Sequence, residues 1–339
     1  MIATRTLRRA RVLIVGCGDV GMRTLPLFHA QAAAPRILAL THHPERADEL
    51  RAAGAKPLFG DLDRRRSLKR LAGLARRVVH LAPPPRDGET DRRTRALIAA
   101  LRAPRRSVAR GGGGRWLHAD RAGKAAFIVP EGLRAAMIRR ARSVAPLRFV
   151  YASTTGVYGD CGGARIDETW PARPANERAQ RRVSAERQLR AAGVQSGWRV
   201  SIVRIPGIYA ADRLPLARIE RRMPALIEQD DVFTNHIHAD DLAAILVRAL
   251  ARGWAQRVFN ASDDTDLRMA DYFDRVADAH GLPRVPRISR QEAETRLEPV
   301  TLSFMRESRR LGNARLKHDL GIALQHPTVD DFLRVNARR

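Results

Sequence analysis

The chain has little cysteine, little lysine and no long apolar run, and each shortage narrows what it can be. Two cysteines, Cys17 and Cys161, exclude a disulfide framework and suit a reducing cytoplasmic setting. No run of about 18 apolar residues is present, so no membrane span is expected. Met1 to Arg11 is basic and lacks the apolar segment of a secretory signal. There is no internal repeat, no zinc-like ligand spacing and no G-x-S-x-G elbow. Acidic residues are also scarce: 36 Asp and Glu face 62 Lys and Arg, a formal charge of +26. Lys56, Lys69, Lys124 and Lys317 are the only lysines, so the cations are nearly all arginine. Such a field attracts anions. The arginines are nevertheless spread along the whole chain, so nucleic acid is not an expected partner.

What is present is a chain of 339 residues, 44% hydrophobic, long enough for a large α/β domain with a smaller appended region. Its focus is RVLIVGCGDVGMR, residues 11–23. Val12 to Val15 read as a strand buried on both faces. Gly16, Gly18 and Gly21 follow in G-x-G-x-x-G spacing, and a helix is expected from about Asp19. Strand, glycine turn and helix in that order form the dinucleotide fingerprint. Gly16 permits the tight turn, Gly18 lets a pyrophosphate approach the backbone, and Gly21 lets helix and strand pack closely. The helix N-terminus offers amide donors to phosphate. Cys17 needs only to be small and is not read as a nucleophile.

The α/β rhythm continues. Arg36–Leu40, Ala55–Phe59 and Arg77–Ala82 read as strands two to four, and Asp91–Leu101 as a helix. No carboxylate ends the second strand to hold a ribose. His42, His43 and Arg46 there face a 2′-phosphate or simply lie in solvent. Asp61 touches adenine or caps the helix expected near Arg64. A Gly- and Arg-rich stretch, about 103–124, reads as a flexible surface insertion. Glu131–Ser143 reads as a helix and Leu147–Ala152 as the fifth strand. Ile202–Tyr209 reads as a strand, and His236 and His238 alternate as on a strand rather than forming a metal pair. Asp240 and Asp241 are read as caps of the following apolar helix. Met269–His280 is an amphipathic helix, stopped by Gly281-Leu282-Pro283.

The glycine turn, HLA after the fourth strand, FVYASTTGVYGD (149–160), IVRIPGIY (202–209) and NHIHADDLA (235–243) together resemble the extended short-chain dehydrogenase/reductase superfamily, its NAD-dependent epimerase/dehydratase group. The resemblance covers nearly the whole chain outside the insertion. With the C-terminal SFMRESRRLGNARLK (303–317), it is similar to an atypical bacterial branch, the YeeZ-type proteins. It implies a Rossmann doubly wound parallel sheet over residues 1–260 and a substrate lobe over 261–339, with parts of 160–240 contributing to the substrate region.

In that superfamily a Tyr, and a Lys four residues later, move the proton, while a Ser or Thr polarises the substrate oxygen. Thr154 matches the Ser/Thr position. Arg178 and Arg182 stand at the Tyr and Lys positions. A guanidinium has a pKa above about 12 and cannot replace the phenol as acid or base. Arg182 keeps donors for ribose or phosphate. Tyr158 and Tyr209 are the alternative phenols, so the catalytic candidates are Thr154, Tyr158 and Tyr209. The cofactor-binding candidates are Gly16, Cys17, Gly18, Asp19, Val20, Gly21, His42, Asp61, Leu62, Leu81, Ala82, Arg182 and Pro206. Arg306, Arg309, Asn313 and Arg315 are candidates for an anionic substrate. The expected protein uses NADP or NAD on a small, sugar-like or carbonyl substrate as an oxidoreductase or epimerase, and a homodimer is compatible with it. The alternative is a non-catalytic dinucleotide-binding sensor or scaffold.

Overall fold

A computed structural model describes residues 9–103 and 145–336. The Gly- and Arg-rich insertion beyond Ala103 and the helix expected over Glu131–Ser143 lie outside the described residues. Seven parallel strands form the central sheet: β1 (Arg11–Val15), β2 (Arg36–Thr41), β3 (Lys56–Phe59), β4 (Arg77–His80), β5 (Arg148–Thr154), β6 (Arg199–Ile205) and β7 (Arg257–Asn260). Their order is β7-β6-β5-β4-β1-β2-β3. This is the doubly wound Rossmann arrangement, and the order reverses between β1 and β4. Ligands bind beyond the carboxyl ends of the strands at such a switch point.

Continuous apolar runs make these strands, because helices cover both faces. Val12, Leu13 and Ile14 are wholly buried and alternate between two cores. Val12 and Ile14 pack with Leu25 and Phe28 of α1 (Asp19–His29) and with the helix Ala239–Arg252. Leu13 and Val15 pack on the other side, with Leu97 of α2 (Arg92–Arg102) and Leu189 of α3 (Glu177–Ser196). Asp91 caps α2, its carboxylate accepting from the Thr94 amide at 2.9 Å. Asn176 caps α3 in the same way through the Ala179 amide.

The strand expected over Ile202–Tyr209 is broken at Pro206, which has no amide hydrogen for a ladder. β6 ends at Ile205. Gly207–Tyr209 then leaves the sheet and pairs with His236–His238. Asp240 and Asp241 do not cap the next helix. It begins at Ala239, and His238 accepts from the Asp240 amide at 3.3 Å. Asp241 instead accepts the amides of Gln325 and His326, tying the C-terminal segment to the sheet domain. Short pairings such as Arg165–Ile166 with Arg310–Leu311 lace residues 160–240 to the C-terminal lobe. That lobe has its own core around Tyr209, Phe273, Val276 and Phe332.

Candidate active site

The glycine turn is built as the local chemistry requires. Gly16 has φ +82°, and a β-carbon there would lie 2.6 Å from the Ala82 amide nitrogen. Only glycine fits both constraints. Gly21 is buried against the strand, where a β-carbon would meet Cys17 Sγ at 3.2 Å and Leu81 Cδ1 at 3.3 Å. Gly18 is different, because, its chain neighbours aside, no atom of the described residues lies within 4 Å of the place a β-carbon would take. Its missing side chain keeps the space before the α1 N-terminus open. The Cys17 thiol is buried, which pushes its pKa up to about 11 and leaves it protonated and unreactive.

A recess of about 340 Å³ opens beside this turn at the carboxyl edge. Gly16, Cys17, Gly18, His42, Asp61, Leu62, Leu81 and Ala82 all line it, so eight of the cofactor-binding candidates converge. Arg46 also reaches it, but its donors are engaged. Nη1 donates to the Cys17 carbonyl at 2.7 Å, and Nε and Nη2 donate to Glu49. His42 stacks beside His43, with ring centroids 3.8 Å apart, and His43 contacts Glu45. Asp61 caps no helix. Its Oδ1 accepts the Asp63 amide in the turn leaving β3.

Five candidates, Asp19, Val20, Gly21, Arg182 and Pro206, do not line the recess. Val20 packs against the core below the turn. Asp19 points to solvent and pairs with Arg23 and Arg213 at 2.9 and 2.8 Å. Partial burial pushes its pKa up, but the hydrogen bonds from both guanidinium groups outweigh that and hold it below the usual carboxylate range.

A second pocket, about 220 Å³, lies between the end of β5 and the C-terminal lobe. Thr154 and Pro206 line it, with Gly156, Asn176, Arg178, Phe233, Asn235, Phe304, Glu307 and Arg309. Thr154 Oγ1 accepts the Gly156 amide at 3.3 Å, which leaves its hydroxyl hydrogen to donate. A β-carbon on Gly156 would lie 3.8 Å from Thr154 Oγ1 and 3.9 Å from Glu307 Oε2. The hydroxyl and the carboxylate therefore face one space. Glu307 is held by Arg309 Nη1 at 2.9 Å and by Asn176 Nδ2 at 3.3 Å. The Arg178 guanidinium sits over the Phe304 ring, 4.7 Å from its centroid.

The two alternative phenols are not at this pocket. Tyr158 is fully buried, donates to Asn260 Oδ1 at 2.7 Å, and lies under the Arg204 guanidinium. Burial raises its pKa, so it holds its proton. Tyr209 is buried in the lobe core among His236, His238 and Phe332. Burial first, and then the Asp263 carboxylate, raise its pKa strongly. Arg182 turns inward to the Ala152 carbonyl at 2.8 Å and the Tyr151 hydroxyl at 3.2 Å, and lines neither recess. Of the four polar candidates in the C-terminal segment only Arg309 reaches the pocket. Arg306 pairs with Glu294, Arg315 with Glu168, and Asn313 donates to Ser262 and Asp264.

Sequence reasoning missed Glu307, Asn176 and the aromatic lining. Glu307 stood within the SFMRESRR segment, but a carboxylate between arginines reads as a solvated ion pair. Also missed was the buried unit behind β5, where Ser153 donates to Glu186 and Arg204 donates to it twice, at 3.1 and 2.8 Å. Among the described residues no group of three or more His, Cys, Asp or Glu side chains is arranged to hold a metal ion.

Residues 130–262 match the profile of the NAD dependent epimerase/dehydratase family. No curated protein sequence matches the chain. A functionally unknown conserved protein from Silicibacter pomeroyi DSS is 25% identical, with a TM-score of 0.69 over 97% of this chain and 98% of that one. The dTDP-glucose 4,6-dehydratase of Bacillus anthracis str. Ames, solved with NAD, shares 12% identity and a TM-score of 0.67 over 97% and 96% of the two chains. The UDP-glucose 4-epimerase of Thermotoga maritima, solved with UDP-glucose, shares 15% identity and a TM-score of 0.67 over 97% of each. The last two likenesses concern the fold alone. Residues 130–262 therefore resemble the NAD dependent epimerase/dehydratase family, and the chain shares its Rossmann architecture with these structures.

Proposed function

We propose that the protein is an NAD- or NADP-dependent oxidoreductase or epimerase acting on a small secondary alcohol or carbonyl substrate, sugar-like in kind. The observation that carries this reading is the open space at Gly18. There a β-carbon would have no atom of the described residues within 4 Å beyond its chain neighbours, and it would project into the approach to the helix N-terminus. The residues fit a dinucleotide: the Gly16–Gly18 turn faces the pyrophosphate, and Thr41, His42, Asp61 and Leu62 line the adenosine side. The nicotinamide, when bound, accepts and returns a hydride.

The chain's own groups supply the rest. Thr154 donates a hydrogen bond to the reacting oxygen. Among the described residues that line the second pocket Glu307 is the only carboxylate, the others being arginine, amide, hydroxyl or apolar, so it is the group that can accept a proton there. As the substrate alcohol becomes a carbonyl, its hydroxyl proton passes to the Glu307 carboxylate and returns on reduction. Arg178 and Arg309 favour a substrate bearing negative charge. Sugar nucleotides have that chemistry, and two of the structural neighbours are named for acting on them.

Calorimetric titration with NAD and NADP tests the first half, and a spectral screen with UDP- and dTDP-sugars and small ketones tests the second. Saturable dinucleotide binding with turnover that falls at least 100-fold in Thr154→Ala and Glu307→Gln is expected. No binding refutes the cofactor assignment. Turnover that survives both substitutions refutes the pocket. Binding without turnover across the screen favours a sensor.

A further inference from the structure

Every strand of the central sheet begins with a cation: Arg11, Arg36, Lys56, Arg77, Arg148, Arg199 and Arg257. The sheet is parallel, so all seven stand on one edge, the amino edge, opposite the cofactor recess. Register sets five of them directly opposite one another, while Lys56 faces Leu38 and Arg257 faces Ser201. Arg11 pairs with Arg36, Arg77 with Arg148, and Arg148 with Arg199. At about 4.8 Å per strand spacing the row spans about 29 Å. Like charges directly opposite on neighbouring strands are unfavourable unless something neutralises them.

Among the described residues little does so. Arg257 pairs with Asp319 at one end. Arg148 and Arg11 donate to backbone carbonyls of Leu250, Ala251 and Leu74. Arg36, Lys56, Arg77 and Arg199 have no ion pair and no side-chain hydrogen bond among the described residues. Partial burial, and then the neighbouring Arg199 and Arg77, lower the pKa of Arg148. Some arginines elsewhere are compensated. Arg23 meets three carboxylates, and Arg204 is paired in the interior. At the β1–β3 end the row opens into a recess of about 670 Å³, lined by Arg9, Arg11, His29, Arg36 and Lys56 and by no carboxylate. At the other end Trp254, 64% exposed, stands just before β7. Its carbonyl accepts from Ser201 of β6, so its main chain lies beside the start of that strand.

We propose that this amino edge binds single-stranded nucleic acid, the cation row tracking the phosphates and Trp254 stacking on a base. A cation row alone suits any polyanion. A solvent-exposed indole beside it favours bases over an acidic peptide or inorganic polyphosphate. The site is independent of the dinucleotide reading, since it lies on the opposite edge.

The test is fluorescence anisotropy of a labelled oligo(dT) of about 12 nucleotides with the whole protein, across a salt series. Binding is expected at low salt, with log affinity falling against log salt by about 0.7 per neutralised phosphate. Arg77→Ala/Arg199→Ala is expected to flatten that slope by about 1.4. Trp254→Ala is expected to weaken binding about tenfold with the slope unchanged. Saturating NAD should leave binding intact. Circular dichroism checks each fold, and the single variants Lys56→Gln and Arg36→Gln give the same readout if the double variant does not fold. Absence of binding overturns the proposal, as does a slope indifferent to all edge variants, which would mean diffuse charge. Displacement by NAD would locate the strand at the wrong edge and also overturn it. Equal affinity for inorganic polyphosphate together with indifference to Trp254→Ala would overturn the nucleic-acid assignment.

Discussion

Asp263 follows β7 and is buried in the C-terminal lobe, only 2% exposed. Its Oδ1 accepts the Thr265 amide at 3.0 Å, while its Oδ2 has no hydrogen-bond partner. Burial raises its pKa from 3.8 to about 7. The carboxyl is neutral in both states below pH 3.8 and costs nothing there. Between 3.8 and about 7 the unfolded chain gives up the proton and the folded chain keeps it, so stability falls as pH rises. The loss is complete above about pH 7. At about 1.4 kcal/mol per tenfold change in the proton equilibrium, its ceiling is about 4 kcal/mol. Asp263→Asn keeps the acceptor for Thr265 and removes the charge. Urea unfolding at pH 5 and pH 8 is the assay. The variant should gain about 1–4 kcal/mol over the wild type at pH 8 and distinctly less at pH 5. Equal gains at both pH values, or none at pH 8, would show that Asp263 does not carry a buried charge and would refute the reasoning.

Three further outcomes are expected. His236 and His238 are buried, which lowers their pKa values from 6.5 to about 3 and about 4. The unfolded chain therefore takes up protons first, and stability is lost as pH falls from 6.5 toward 4. His236→Phe should lose less thermal stability between pH 7 and pH 4.5 than the wild type does. Glu186→Ala leaves the Arg204 guanidinium buried without its carboxylate and should cost about 3–5 kcal/mol in urea unfolding. An effect below about 1 kcal/mol would mean that water reaches Arg204. The β-carbon added by Gly18→Val has no atom of the described residues within 4 Å beyond its chain neighbours, so the substitution should leave the unfolding midpoint nearly unchanged while abolishing dinucleotide binding in calorimetry. Retained affinity would remove the phosphate from that turn.

The order of elements was legible in the sequence because local rules govern it. A buried parallel strand must be apolar throughout, a φ of +82° at Gly16 demands glycine, and a helix start announces its cap, as Asp91 and Asn176 do. The break at Pro206 was readable by the same logic, but a continuous apolar pattern masked it. The capping at Ala239 was misread because two aspartates look like caps, whereas their carboxylates serve Arg23 and the Gln325–His326 amides.

The sequence by itself determined the glycine turn and the parallel sheet, since each depends on residues close together in the chain. The tertiary structure alone decided the rest. Tyr158 and Tyr209 carry the right chemistry, yet packing closes over both. Glu307 lies 153 positions beyond Thr154 and meets it only because the C-terminal lobe folds back over β5. The arginines look evenly scattered along the chain. A parallel sheet starts every strand on the same edge, so cations tens of residues apart become neighbours one strand spacing apart. No one-dimensional pattern of charge displays that.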